Sequence, residues 1–412
     1  MRARIIVAVV LVGAALAAVA STASGGTTAS NSITVWLQTD ADKDNWKAVI
    51  RAATADFQRQ HPGVAVDVQF QTWGNHLQKF DATLAGGNAP DVIEMGNTEM
   101  AKYMVAGAFQ DLTSDRSTFP NASTWLDGLA AQGRLGTKVY GVPYYAGSRV
   151  VTYRTDLFRK AGIKVPTSLA EYTAAARKLA RQQGDRGFSP VYIAGTDWYF
   201  AMGFVHDYGG SIAKLVSGKW KGTLASPKSI AGLTAYKNFF LAASRASKTT
   251  DETHPNPYDV YAQGNAGSMV GPGWFTCCVG DKYKGTTAQF VMPSRTKGQP
   301  MPGFLGGSLL AVPVGVNKTL AVDWIKAYTS NASMTQLRAI GNIPNTTSLL
   351  GNTVGERAAK RSWFVPPAKN WVNVENGNIL RNMLSQILTG KLTVKQAAQS
   401  ASDNITSVLN AS

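Results

Sequence analysis

A doubly wound α/β fold is what this 412-residue sequence predicts, on three observations. Short apolar runs of strand character alternate with stretches whose apolar residues recur at helical spacing, a pattern that implies parallel strand pairing with helices on both sheet faces. Gly, Pro and Asn punctuate the junctions between them. With 44% hydrophobic residues the chain is long enough for a sizeable core, and its length allows two or three domains.

In chain order, residues 33–37 read as a strand, followed by a helix whose apolar positions Trp46, Val49, Ile50, Ala53 and Phe57 keep helical spacing until Pro62-Gly63 stops it. Residues 64–70 form the next strand, and a helix over 75–84 ends in Gly86-Gly87-Asn88. Pro90-Asp91 leads into the apolar pair Val92-Ile93, and a further helix covers 98–106. Ligands in such folds sit at the carboxyl ends of the strands. A strand over 139–143 runs through Pro143 toward a second over 150–153, and helices are expected over 155–161 and 168–183. The middle is mostly helical, over 199–208 and 226–247, before strand pieces return at 268–270 and 288–292. A Gly-rich strand over 306–313 precedes a helix over 319–328, and the chain closes with helices over 379–388 and 393–409.

Arg2 and Arg4 stand before an apolar stretch over 5–19, and Ala18-Val19-Ala20 supplies a small-x-small cleavage pattern, so 1–20 reads as a signal peptide and 21–31 as a flexible leader. The apolar stretch is too short to span a bilayer. No Cys follows it as a lipid attachment site, which points to an exported protein at the cell surface or in the periplasm. Loss of the two arginines lowers the formal charge from +16 to +14.

Composition excludes several chemistries. The 41 Lys+Arg against 25 Asp+Glu are spread without a dense basic tract, which argues against nucleic acid as partner. Four scattered histidines and two cysteines offer no metal site, and no phosphate loop, nucleophile elbow or dinucleotide fingerprint supports a cofactor. Asp40, Asp91, Glu94 and Glu99 are the carboxylates from which a glycosidase pair would have to be drawn. Trp46 and Trp324 sit on apolar helical stripes and read as core. Trp73, Trp198, Trp274 and Trp371 stand near Gly, Asp or Asn outside such stripes, where an indole either stacks on the C–H face of a sugar or closes an interface between lobes.

Seven segments together resemble the extracellular solute-binding proteins of ABC importers, in the carbohydrate-binding, maltose-binding-protein-like group. They are Ile33-Thr34-Val35-Trp36; the run from Ala85 to Ile93 through Gly86-Gly87; Tyr140-Gly141-Val142-Pro143 with Val151 to Phe158; Gly271-Pro272-Gly273-Trp274; Val291-Met292-Pro293; the strand from Gly306 to Pro313; and Leu388 to Val394. The resemblance implies two doubly wound α/β lobes joined by a three-crossing hinge near Pro143, Met292 and Thr329, in the type II periplasmic-binding-protein manner. Residues 32–143 with 293–329 would form the first lobe and 144–292 with 330–412 the second, trapping ligand between them. It further implies polar ligand contacts at Gln38, Asp40 and Asn97, and stacking by Trp274. Trp198 or Tyr199 supplies an aromatic of the second lobe, Glu375 or Asn376 the last cleft contact, and Tyr145 and Ser148 follow the first hinge crossing. The family pattern is broken at Gly147, where an acidic sugar ligand is expected, and at Met95, where an aromatic is expected; the latter argues against long glucans.

Cys277-Cys278 also departs from that pattern. Adjacent Cα atoms lie closer than an ordinary disulfide prefers, so the pair is either two buried free thiols or a vicinal disulfide, which three residues after Trp274 would make a rigid apolar platform beside the ligand. The function expected is that of a monomeric, non-enzymatic carrier that captures a mono- or short oligosaccharide outside the membrane and presents it to an ABC permease. A secreted glycosidase and a binder of non-sugar solutes are the alternatives. The basic charge points to electrostatic contact with an anionic cell envelope.

Overall fold

The structure, a computed structural model, describes residues 32–411; the expected signal peptide and leader lie outside the described residues. The opening alternation folds as the periodicity predicts. β1 (Ser32–Gln38), β2 (Ala65–Gln71) and β3 (Val92–Gly96) are linked by α1 (Asp44–Gln60) and α2 (His76–Gly86), and β1 pairs in parallel with both neighbours. The five apolar residues of the α1 stripe are all buried. Gly87 closes α2 in the left-handed conformation, φ 69°, which glycine enters without steric cost.

After α3 (Met100–Val105), α4 (Asp127–Gln132) and the short ribbon of β4 (Arg134–Leu135) and β5 (Lys138–Val139) comes β6 (Gly141–Arg154), 14 residues long. The chain continues through α5 (Thr155–Lys160), α6 (Leu169–Gln183) and α7 (Trp198–Asp207). A hairpin of β7 (Ala213–Val216) and β8 (Lys219–Gly222) follows, then α8 (Pro227–Ala243), α9 (Pro257–Ala262), β9 (Ser268–Pro272) and β10 (Thr287–Phe290). The last third holds β11 (Gly303–Ala311), α10 (Lys318–Tyr328), α11 (Asn331–Ala339), β12 (Ile343–Pro344), α12 (Val354–Ala359), β13 (Ser362–Trp363), α13 (Trp371–Asn376), α14 (Ile379–Thr389) and α15 (Val394–Leu409).

The principal sheet runs in the order β10-β6-β11-β3-β1-β2. Here β11 is antiparallel to both β3 and β6, so the sheet is mixed where local alternation predicts parallel pairing. The reason is non-local: β11 returns from the far side of the molecule and meets the sheet from the opposite direction. The two strands expected at 139–143 and 150–153 are one strand, β6. Pro143 is accommodated because the β6–β11 ladder shifts register between Ser308 and Leu309, opposite the residue that has no N–H to give.

Alternate residues divide the first part of the sheet between two faces. Val35, Leu37 and Leu310 pack with Phe57, Trp324 and Leu337 on one side, while Trp36, Met95 and Leu309 pack with Phe80 and Tyr103 on the other. A separate core gathers Val151, Val270 and Phe290 with residues of α6, α7, α8, α14 and α15. β6 and β11 thread between these centres, the two-lobe α/β arrangement that the resemblance implies. The segmentation differs in detail from the expected one. Met301 and Phe304, expected in the first lobe, pack into the second core, and Met334 and Leu337, expected in the second, pack against the first, because α11 lies on α1.

Candidate ligand-binding cleft

Two loops, two strands and two helices meet at a cavity of about 420 Å³. The loop after β3 contributes Asn97, Thr98 and Glu99; the middle of β6 contributes Tyr145, Ser148 and Arg149; Trp274 follows β9; Phe304 and Gly307 come from β11; and Tyr199 and Glu375 come from α7 and α13. Gly307 is required by close approach, since a Cβ there would lie 2.3 Å from the Tyr145 carbonyl oxygen. A second cavity of about 380 Å³ adjoins the first, sharing Tyr145, Trp274 and Asn342, and continues past Asp40, Lys43, Asn45 and Cys277. Asp40 and Thr98 stand just beyond the carboxyl ends of β1 and β3, where parallel strands present their loops.

The wall is held by a chain of polar contacts. His76, at the start of α2, faces Glu99 Oε2 through Nε2 at 3.0 Å and the Trp73 carbonyl through Nδ1 at 3.1 Å, while Glu99 Oε2 also accepts the Gly96 N–H at 2.8 Å. Burial opposes charge on His76, but the hydrogen bond and charge of Glu99 together with nearby carbonyls outweigh it and raise its pKa. Trp73 donates its indole N–H to Asp40 at 2.6 Å. On the opposite side Arg149 stacks over the Tyr199 ring, 4.7 Å from its centroid, and its guanidinium reaches Asp197 at 3.4 Å, the residue that caps α7 by accepting the Phe200 N–H. Ser148 Oγ and Arg149 Nε are buried without a partner in the protein.

Glu375 accepts the Trp371 indole N–H and lies beside Thr98 and Glu99 of the first lobe. Burial is the main reason its pKa rises to about 7, with the charge of Glu99 adding to the effect. Burial likewise raises Glu94 to about 7, against the Gln38 N–H that it accepts. Both groups hold their proton more tightly folded than unfolded. Their contribution to stability is therefore complete below the ordinary carboxyl pKa and is lost as pH rises through about 7. Glu375→Gln keeps an acceptor for Trp371 and removes the titration. We expect it to melt above the parent protein at about pH 8 and with it at about pH 4; coincident melting profiles at both values would contradict the assignment.

The expected site residues are not all at the cleft. Asp40, Trp73, Asn97, Tyr145, Ser148, Tyr199, Trp274, Cys277 and Glu375 line one or both cavities. Gln38 does not. It is buried in β1, its amide turned to the Glu94 carbonyl at 3.4 Å, because the last residue of the strand faces into the lobe. Asn97 lines the cavity, but its amide is spent on the Leu305 carbonyl at 3.0 Å, tying the loop to β11. Trp198 is 3% exposed and Trp371 is fully buried, so both are packing residues, whereas Trp73 and Trp274 are 40% and 43% exposed. Asn376 is exposed at the end of α13 and lines neither cavity. Cys277 and Cys278 are joined in a vicinal disulfide, and only Cys277 lines a cavity. Arg149, Thr98 and Phe304 line the cleft without having been expected there. Glu99, in the sequence one of four carboxylates open to a hydrolytic pair, lines the cleft as well, and the one sequence signal for Arg149 is its place next to Ser148.

Comparison with known proteins was consistent across three kinds of match. The sequence model of the bacterial extracellular solute-binding protein family matches residues 40–335. The chain is 30% identical over 385 residues to the diacetylchitobiose binding protein DasA of Streptomyces coelicolor, covering 90% of this chain and 88% of that one. Among solved structures, the GacH receptor of Streptomyces glaucescens, studied unliganded and with acarbose, superposes with a TM-score of 0.77 at 21% identity, covering 92% of this chain and 98% of that one. The sugar-binding protein MalE of Xanthomonas citri superposes with a TM-score of 0.78 at 18% identity, covering 92% and 97%. At these identities the two structures speak to the shared fold.

Proposed function

This chain belongs to the bacterial extracellular solute-binding proteins, and on that premise we propose that it captures a short oligosaccharide in the cleft between its lobes and delivers it intact to an ABC permease. The observation that carries the reading is the composition of the wall. Half-exposed indoles of Trp73 and Trp274 stand beside Asp40, Glu99, Glu375 and Arg149, so flat apolar faces alternate with charged hydrogen-bonding groups. A pyranose presents the same alternation, C–H faces and a hydroxyl edge, and loses water on entry, so each hydroxyl must find a new partner. The likeness to a diacetylchitobiose binding protein over nine-tenths of the chain makes acetamido sugars the first class to test.

Titration calorimetry against diacetylchitobiose, its monomer and a panel of other disaccharides tests the reading, with a rise in melting temperature at saturating ligand as the second readout. Failure of every sugar to bind would overturn it. The carboxylates Glu99 and Glu375 both line the cleft, so turnover is tested in the same samples: a carrier returns the sugar uncleaved, and release of a smaller product would replace it with a hydrolase.

The export signal, monomeric state and electrostatic retention on an anionic envelope are part of the same proposal. The formal charge of +14 that remains without Arg2 and Arg4 supports retention. Its expected signature is release of the protein from cells by about 0.5 M salt, where the screening length falls below roughly 5 Å.

A further inference from the structure

The outer cavity has two unlike walls. One carries Trp274 and Cys277, residues of the single 3-10 segment Gly273–Cys278, in which positions three apart eclipse and so present their side chains in the same direction. Both are exposed, and Cys277 is bonded to Cys278, so that neither sulfur carries a proton; Thr276 between them also lines the cavity, its hydroxyl turned to the Gly273 carbonyl at 3.4 Å. The other wall belongs to the first lobe and carries polar groups: Asp40 lies in the turn after β1 and Lys43 and Asn45 at the start of α1, with Lys43 Nζ held 5.5 Å from the Trp274 ring centroid across the cleft. The cavity opens on the inner one through Tyr145 and Trp274, so a ligand lying along the cleft passes from one to the other over the same indole.

From this juxtaposition we infer that the Cys277–Cys278 disulfide is a specificity determinant: with Trp274 it forms the apolar shelf of a second sugar subsite, opposite a hydrogen-bonding edge made by Asp40 and Asn45. The inference rests on the carbohydrate reading and sharpens it to a ligand of at least two pyranose units, the outer one lying with an unsubstituted C–H face on the shelf. Closing the two thiols into one ring gives the shelf its function. It removes the S–H donors and the rotamer freedom of both side chains, so an apolar face can settle on it without stranding a polar group.

The experiment compares N-acetylglucosamine and diacetylchitobiose by calorimetry on the full chain and on a Cys277→Ser, Cys278→Ser double variant. The parent should prefer the disaccharide. The double variant should lose about tenfold in disaccharide affinity, about 1.4 kcal/mol, with monosaccharide affinity unchanged. Unchanged monosaccharide binding also certifies that the variant is folded. Should the serines prevent folding, Asn45→Ala on the opposite wall, an exposed position at the first turn of α1, carries the same expectation of a loss confined to the disaccharide. Disaccharide affinity untouched by these changes, or equal loss for both sugars, overturns the subsite while leaving the carrier intact. Absence of binding by the parent to either sugar overturns the acetamido-sugar reading and the subsite with it.

Discussion

Replacing Trp274 by alanine should lower sugar affinity by about two orders of magnitude while leaving the melting temperature nearly unchanged. The indole is 43% exposed and lines both cavities, touching Phe275 and Tyr258 only along part of its surface. A stacked sugar would cover roughly 100 Å² of apolar surface there, which at about 25 cal/mol per Å² amounts to about 2.5 kcal/mol, or about 70-fold in affinity. Folding depends little on the side chain, because its free face is in water in the unliganded protein; a stability change within about 1 kcal/mol is expected. Calorimetry and a thermal melt on the same preparation separate the two quantities. A variant that binds as the parent does would remove Trp274 from the site.

Trp371→Ala should do the reverse at the level of the fold. This indole is fully buried in the second core, 6.0 Å from Trp198 between ring centroids, and its N–H is the donor to Glu375. Truncation leaves a cavity and removes one partner of a half-buried carboxyl, so a loss of about 3 to 5 kcal/mol is expected, read as a lower midpoint in urea with the slope unchanged. Trp371→Phe fills most of the volume without the N–H. The loss shown by the Phe variant relative to the parent measures mainly the hydrogen bond to Glu375, about 1 to 2 kcal/mol, and the further loss in the Ala variant measures the volume. A Phe variant as destabilised as the Ala variant would show that the polar contact, and not the volume, dominates.

These two tryptophans look alike in composition and periodicity. Each stands beside Gly or Asn, outside a regular apolar stripe, and only the resemblance of the Gly271–Trp274 segment to the family singles out Trp274 as a stacking residue. The distinction arises from packing. Trp371 opens a short helix that α14 and α15 cover, whereas Trp274 lies in the turn that follows β9 at the mouth of the cleft. Gln38 shows the same limit in a polar residue. Its place at the end of the first strand is correct for a ligand contact, but the parity of the strand turns its side chain inward to Glu94. Arg149 was invisible for the converse reason: only the continuity of β6 through Pro143 brings it opposite Tyr199.

What the sequence determined by itself is what depends on neighbours a few residues away. The α1 stripe, the stop at Gly86-Gly87, the alternation of the first three strands and the adjacency of Cys277 and Cys278 all follow from local spacing and backbone preference. Tertiary structure alone decided what depends on residues far apart in the chain. It set the antiparallel insertion of β11, the merging of two expected strands into β6, the attachment of α11 to the first core, and the choice of which aromatics face the cleft. Those features are settled by which surfaces exclude water together, and that is a property of the assembled lobes and not of any single segment.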